Sequence, residues 1–94
     1  MFKTIEDIVR VFNKQGNNWF REDVMGYWGT VLDNQIFDGR IFLTKDTVAD
    51  LYSKRKKWSV REVYLTSDGD YSIKTHGLAC YTKREAMSKV RSLL

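Results

Sequence analysis

The sequence predicts an α+β fold, in which an antiparallel sheet of three to four strands has an N-terminal and a C-terminal helix packed on one face. Apolar residues near the start recur with a helical period, and they do so again near the end. Between them lie short β-prone runs separated by Asx-Gly turn signals. The natural closure of this order is a sheet covered by its helices. With 94 residues, the chain is predicted to form one domain, 1–94.

The first helix is predicted from about residue 4 to residue 15. Thr4 offers a capping hydroxyl, and an acid follows three residues later. The apolar stripe of this helix consists of Ile5, Ile8, Val9 and Phe12. Gly16 ends the pattern as a C-terminal stop signal. The next segment, residues 18–28, has mixed spacing, and we predict a short helix near 20–25 that leads into a strand.

The central segment contains two candidate hairpin turns, Asp33-Asn34 and Asp38-Gly39. Asp-Gly suits the positive φ angles of a type I′ turn, so the second is favoured, with a strand behind it at 40–43. A short helix is predicted within the insert 46–57.

The last third is predicted as two strands and a helix. A strand at 58–66 and a strand at 71–80 flank the turn 67–70. The apolar alternation slips within both strands, which indicates a β-bulge, and Gly77 is its natural site. Thr82 then caps a helix, with Glu85 in the capping-box position and Ala86 and Val90 on its inner side.

Charge is distributed unevenly along the chain. Residues 1–47 carry six Lys/Arg and seven Asp/Glu, whereas residues 48–94 carry ten Lys/Arg and five Asp/Glu. The whole +4 excess therefore belongs to the C-terminal half. A patch of one sign attracts polyanions and steers their approach.

The candidate binding residues are the cations of that half and an aromatic neighbour. Cations beside exposed rings suit nucleic acid, because the charges neutralise phosphate and the rings stack on bases. A lysine-rich segment also keeps a sheet edge soluble, and it equally suits an acidic protein. The predicted binding residues are Lys54, Arg55, Lys56, Lys57, Trp58, Arg61, Lys74, Lys83, Arg84 and Arg91.

Neither an enzyme nor a cofactor or metal site is predicted. His76 and Cys80 occur once each, and positions four apart on a strand lie ~13 Å apart, too far for one metal ion. Asp68-Gly69-Asp70 lacks the rest of a calcium loop. No apolar run reaches the ~18–20 residues of a membrane span, and the first residues do not have the pattern of a signal peptide. The single cysteine fits a reducing compartment.

Three segments resemble small uncharacterised proteins of phages and mobile elements over about residues 39–90. They read Gly-Arg-Ile-Phe-Leu-Thr at 39–44, Trp-Ser-Val-Arg-Glu-Val at 58–63 and Tyr-Thr-Lys-Arg-Glu-Ala at 81–86. The insert 46–57 departs from that pattern. The resemblance implies a viral accessory protein, and such proteins often bind and block host machinery, including restriction and CRISPR nucleases.

The leading expectation is therefore a non-enzymatic accessory protein that binds a host protein or a nucleoprotein complex through its basic half. Its location would be the cytoplasm of the host bacterium. Direct, largely sequence-independent binding of DNA or RNA is the first alternative. The second is a structural module, such as a homodimer, joined through the aromatic-rich N-terminal half.

Overall fold

The computed structural model describes residues 1–17, 20, 30–46 and 57–94. Its elements are α1 (Ile5–Lys14), β1 (Thr30–Phe37), β2 (Ile41–Asp46), β3 (Lys57–Leu65), β4 (Tyr71–Cys80) and α2 (Lys83–Leu93). The strands form one antiparallel sheet in the order β1-β2-β3-β4. The predicted α+β class is confirmed, with four strands. The helices predicted near 20–25 and within 46–57 fall on residues 21–29 and 47–56, outside the described residues.

Both helices begin at the predicted caps. The Thr4 hydroxyl accepts a hydrogen bond from the Asp7 backbone N–H at 3.2 Å. At α2, the Thr82 hydroxyl accepts from the Glu85 N–H at 3.2 Å, and the Glu85 carboxylate accepts from the Tyr81 N–H at 3.2 Å. The two threonine bonds satisfy backbone donors that the first helical turn leaves without partners, and the Glu85 bond ties the residue before the cap to the helix.

The β1–β2 hairpin turns at Asp38-Gly39, as predicted. The two residues have φ angles of 54° and 65°, in the left-handed region that a type I′ turn requires. The other candidate turn lies inside β1, where the pairing with β2 shifts register between Leu32 and Ile36. There the Asp33 carboxylate accepts from the Gln35 N–H at 2.9 Å, so the Asx pair makes a local kink in the strand.

The predicted bulge at Gly77 is confirmed. Gly77 pairs with Val60, and the β3–β4 register shifts on both sides of that pair. Arg61 pairs with Thr75, so His76 is an extra residue on β4. His76 is therefore a bulge residue without a register partner on β3.

The helices lie on opposite faces of the sheet, which corrects the prediction that both pack on one face. Phe42 and Val63 belong to the cluster built on α1. Ile41, Leu43 and Val60 belong to the cluster built on α2. Neighbouring residues of a strand point to opposite faces, so consecutive β2 side chains serve different cores. Ile41, Phe42 and Leu43 are all fully buried.

The α1 cluster consists of Ile5, Ile8, Phe12, Phe42 and Val63, and the α2 cluster of Ile41, Leu43, Val60, Ala86 and Val90. Two-sided burial also explains the apolar slip within β3, since Val60 faces α2 whereas Val63 faces α1. Among the described helices, neither is long and apolar enough to cross a membrane.

Candidate binding surface

Two ammonium groups lie over the Trp58 ring. Lys45 is the register partner of Trp58 on β2, and its Nζ lies 5.2 Å from the ring centroid. Lys83, the first residue of α2, places its Nζ 5.5 Å from the same centroid. Lys83 Nζ also lies 3.0 Å from Asp33 Oδ2, and only 12% of the Asp33 side chain is exposed. We call Lys45, Trp58, Lys83 and Asp33 the Trp58 corner.

The corner explains how α2 is held against the sheet. Asp33 belongs to β1, Lys45 to β2, Trp58 to β3 and Lys83 to the helix, so one ion pair and two cation–π contacts connect four elements. Such contacts add modest energy at partly exposed sites, but they fix the start of the helix in position. Of the predicted binding residues, Trp58 and Lys83 are thus brought together, and both already have internal partners.

Arg61 and Lys74 face opposite sides of the sheet. Arg61 donates from Nε to the Thr44 hydroxyl at 3.2 Å and from Nη1 to the Thr75 hydroxyl. It pairs with Phe42 in the register and shares the α1 face. Lys74 pairs with Glu62, on the face that carries α2. Of these predicted binding residues, Lys74 thus shares a face with Trp58, whereas strand alternation places Arg61 on the other face.

Glu62 is the centre of an ionic network that the sequence did not reveal. Its carboxylate lies 2.5 Å from Arg40 Nη1, 2.5 Å from His76 Nε2 and 3.9 Å from Lys74 Nζ. Arg40 Nε in turn contacts Asp38 Oδ2 at 2.9 Å. The Glu62 side chain is only 13% exposed, so its charge is largely removed from water and must be compensated.

The network alters the acidity of its central group. Burial alone raises the pKa of Glu62, but the hydrogen bonds from His76 and Arg40 and the nearby positive charges outweigh it, so the pKa lies below its usual value. The same hydrogen bond with Glu62, together with that of Asp38, raises the pKa of Arg40. The Lys74 ammonium also lies 5.5 Å from the Tyr64 ring centroid.

The outer side of α2 carries cations that are exposed rather than held in an internal network. The side chains of Arg84, Lys89 and Arg91 are exposed, and among the described residues none of them has an ion-pair partner. Ser88, also exposed, lies between them on the helix. We call Arg84, Ser88, Lys89 and Arg91 the basic face of α2. Of the predicted binding residues whose side chains the structure describes, Arg84 and Arg91 are the ones that are exposed without an ion-pair partner.

The lysine-rich run is only partly described. Lys54, Arg55 and Lys56 lie outside the described residues. Lys57 is the first residue of β3, where its backbone pairs with Asp46. The run therefore leads directly into the strand that carries Trp58.

Sequence reasoning missed Asp33 and Glu62 as the partners of Lys83 and Lys74. It also missed Lys45 as a cation over Trp58 and Arg40 as a partner of Glu62. The signal for Lys45 was the strand register, because an antiparallel pairing places it opposite Trp58. His76 and Cys80 do not meet, since the histidine contacts Glu62 whereas Cys80 pairs with Trp58. Within the described parts of the chain, no three His, Cys, Asp or Glu side chains are grouped to hold a metal ion.

The fold and this surface define a class of protein: a small α+β domain with a helix on each face of a four-stranded meander and a basic outer helix face. The chain belongs to DUF7447, a family of unknown function whose model matches residues 4–90. No curated protein and no solved structure matches the chain.

Proposed function

We propose that this chain is a non-enzymatic binding protein that contacts an acidic macromolecular surface through the basic face of α2. The supporting observation is the contrast between two sets of cations. Arg61, Lys74 and Lys83 have internal partners, whereas Arg84 and Arg91 are exposed without an ion-pair partner among the described residues. An unpaired exposed cation is available to a polyanion at little cost, while a paired one must first leave its partner.

The helix presents these cations as a short, rigid row. Arg84 and Arg91 are seven residues apart, so they lie on the same side and ~10 Å apart along the axis. On the opposite side Ala86 and Val90 are fully buried. The Thr82 cap and the Lys83–Asp33 ion pair hold the start of the helix. A partner therefore meets charges whose backbone is already fixed, which lowers the entropy lost on binding.

The proposed partner is a protein or nucleoprotein complex of a bacterial host, with an acidic patch that matches this row. The resemblance to small phage and mobile-element proteins supports an accessory role in the host cytoplasm that blocks such a target. The state of Trp58 favours a protein contact over base stacking. Its ring is half-buried and already carries two ammonium groups, so it is a poor platform for a nucleobase.

Direct binding of nucleic acid is a second candidate, favoured by Tyr81. This residue lies just before the cap of α2 and is 61% exposed. An exposed aromatic ring three positions before Arg84 in the sequence would combine base stacking with phosphate neutralisation.

The test compares two matched triple variants. The first changes Arg84, Lys89 and Arg91 to Ala, and the second changes Lys3, Arg10 and Lys14, on and before α1, to Ala. Each removes three positive charges from a net charge of +4, which leaves +1. Arg10 and Lys14 also line a shallow depression on α1, so the second variant reports on that surface as well.

Affinity capture from a bacterial lysate should recover the same protein with the wild type and the α1 variant, but not with the α2 variant. Fluorescence anisotropy with labelled single-stranded DNA, duplex DNA and RNA covers the second candidate. Direct nucleic-acid binding would be supported if the affinity for one of these nucleic acids falls about tenfold or more between ~50 and ~200 mM salt. The α2 variant should then lose this affinity, and the α1 variant should keep it. Equal behaviour of the two variants in both assays would refute the proposal.

A further inference from the structure

The side chain of Gln15 closes part of an exposed strand edge. β4 is an outer strand of the sheet, so half of its backbone groups face away from β3. At its first residue, the Tyr71 N–H donates to Gln15 Oε1 at 2.6 Å, and Gln15 Nε2 donates to the Tyr71 carbonyl at 3.0 Å. One amide side chain thus makes the paired N–H and C=O bonds that an opposite strand residue would make.

The register identifies the other outward-facing groups. Tyr71, Ile73 and Thr75 pair with β3 residues two apart, Leu65, Val63 and Arg61. Because Tyr71 bonds outward, the N–H and C=O groups of Ile73 and Thr75 face outward as well. Beyond Thr75 the bulge disrupts the ladder. The regular open edge therefore runs from Tyr71 to Thr75, and among the described residues Gln15 is the one that bonds to it.

We propose that this edge is a self-pairing surface and that Gln15 keeps the chain from pairing through it. The occupant that fits is β4 of a second copy, antiparallel and centred on Ile73. In that register Ile73 faces Ile73, and Tyr71 faces Thr75 of the other copy, which are favourable strand neighbours. Lys74 then faces Ser72 of the other copy. A register centred on Lys74 would set two ammonium groups opposite each other and is disfavoured.

We call the two hydrogen bonds between Gln15 and Tyr71 the clasp. The clasp and the pairing of β4 with a second copy exclude each other. The two outer pairs of the twofold arrangement each need the backbone N–H and C=O of Tyr71, and these are the groups that Gln15 occupies. With the clasp closed, only the central Ile73 pair remains, and a single pair of strand bonds does not hold two proteins together. Gln15 thus protects this edge from intermolecular strand pairing, as inward-pointing charges and bulges protect the edges of other sheets.

The experiment measures self-association of Gln15→Ala by sedimentation equilibrium, with Asn13→Ala as the control. Asn13 is an exposed polar residue in the last turn of α1, two positions before Gln15, and it has no side-chain bond to β4. We expect the dimer dissociation constant of Gln15→Ala to fall about tenfold or more below that of the wild type and the control. A Gln15→Ala protein that keeps its circular dichroism spectrum and stays monomeric would overturn the proposal.

The register is tested in the same background. Adding Ser72→Lys sets like charges opposite each other and should weaken the dimer, whereas adding Ser72→Glu sets opposite charges and should strengthen it. Equal effects of the two changes would refute the Ile73-centred register.

Hydrogen exchange tests the Gln15–Tyr71 hydrogen bonds on the wild-type protein, without any variant. The Tyr71 amide should exchange more slowly than those of Ile73 and Thr75, and equal exchange of all three would overturn the clasp itself.

Discussion

Truncation of valines on the two faces of β3 tests the two-sided architecture directly. Val60 and Val63 are the same residue type on the same strand, with exposures of 0% and 1%. Val60 belongs to the α2 cluster together with Val90, whereas Val63 belongs to the α1 cluster. Val90→Ala can therefore be combined with Val60→Ala or with Val63→Ala, and the two double variants differ only in which face carries the second change.

The expected magnitude follows from the atoms removed. Each Val→Ala change deletes two buried carbons, at ~0.8 kcal/mol each, and the residual cavity brings the cost to about 2 kcal/mol. In a domain of this size, about 2 kcal/mol lowers the melting temperature by ~8–16 °C. The whole free energy of unfolding is on the order of 5–14 kcal/mol, so a double variant costs a large part of it.

The assay is urea unfolding, followed by fluorescence of the three tryptophans and by circular dichroism. The effects of Val90→Ala and Val63→Ala should add within about 0.5 kcal/mol, because no cavity is shared. The effects of Val90→Ala and Val60→Ala should depart from additivity by more than that, since their cavities adjoin. If a double variant is too unstable, all six proteins are compared in a stabilising osmolyte. Equal coupling in both pairs would refute the placement of the helices on opposite faces.

Three further predictions concern the network, a turn and a cap. Because the pKa of Glu62 is lowered in the folded state, its carboxylate stabilises the protein above its unfolded pKa of ~4.3, and this contribution is lost as the pH falls through the lower folded value. The difference in unfolding free energy between the wild type and Glu62→Gln should thus shrink below about pH 4, and an undiminished difference at low pH would contradict the network. Gly39→Ala should cost about 2 kcal/mol in urea unfolding, because φ is 65° and a Cβ would lie 3.2 Å from Met1 Cβ and 3.3 Å from the Phe2 carbonyl oxygen. Gly69→Ala, at a φ of 87° with no atom within 4 Å, should cost about half of that, and equal costs would show that the Phe2 contact is unimportant. Thr82→Ala should cost ~1 kcal/mol, and Thr82→Ser should restore most of it.

Local signals predicted the elements of the fold well. The caps at Thr4 and Thr82, the turn at Asp38-Gly39 and the bulge at Gly77 each depend on a few adjacent residues with a specific backbone requirement. These requirements are met within the segment itself, so they can be read without knowing the tertiary structure. The lengths of β3 and β4 were predicted to within one residue at each end for the same reason.

The arrangement of the helices was not predictable from those signals. A strand that is covered on one face alternates apolar and polar residues, whereas Ile41, Phe42 and Leu43 are consecutive and all fully buried. That run indicates burial on both faces, and so does the apolar slip between Val60 and Val63. The slip was attributed wholly to a bulge, although bulging of β4 and two-sided burial of β3 occur together here.

The predicted cations differ in their surroundings, because those on the strands lie on a covered sheet whereas those on α2 lie on an exposed helix side. A largely buried charge on a covered sheet requires compensating partners, as Glu62 has in Arg40 and His76. Arg61 donates to Thr44, and Lys74, although 53% exposed, lies 3.9 Å from Glu62. A surface helix turns one side to solvent, where Arg84 and Arg91 remain charged without a partner. A count of cations along the chain therefore overstates the surface available to a polyanion, and the excess lies on the strands. Among the described cations of the C-terminal half, Arg84, Lys89 and Arg91 of α2 have no ion-pair partner, whereas Arg61 of β3 and Lys74 of β4 have contacts within the fold.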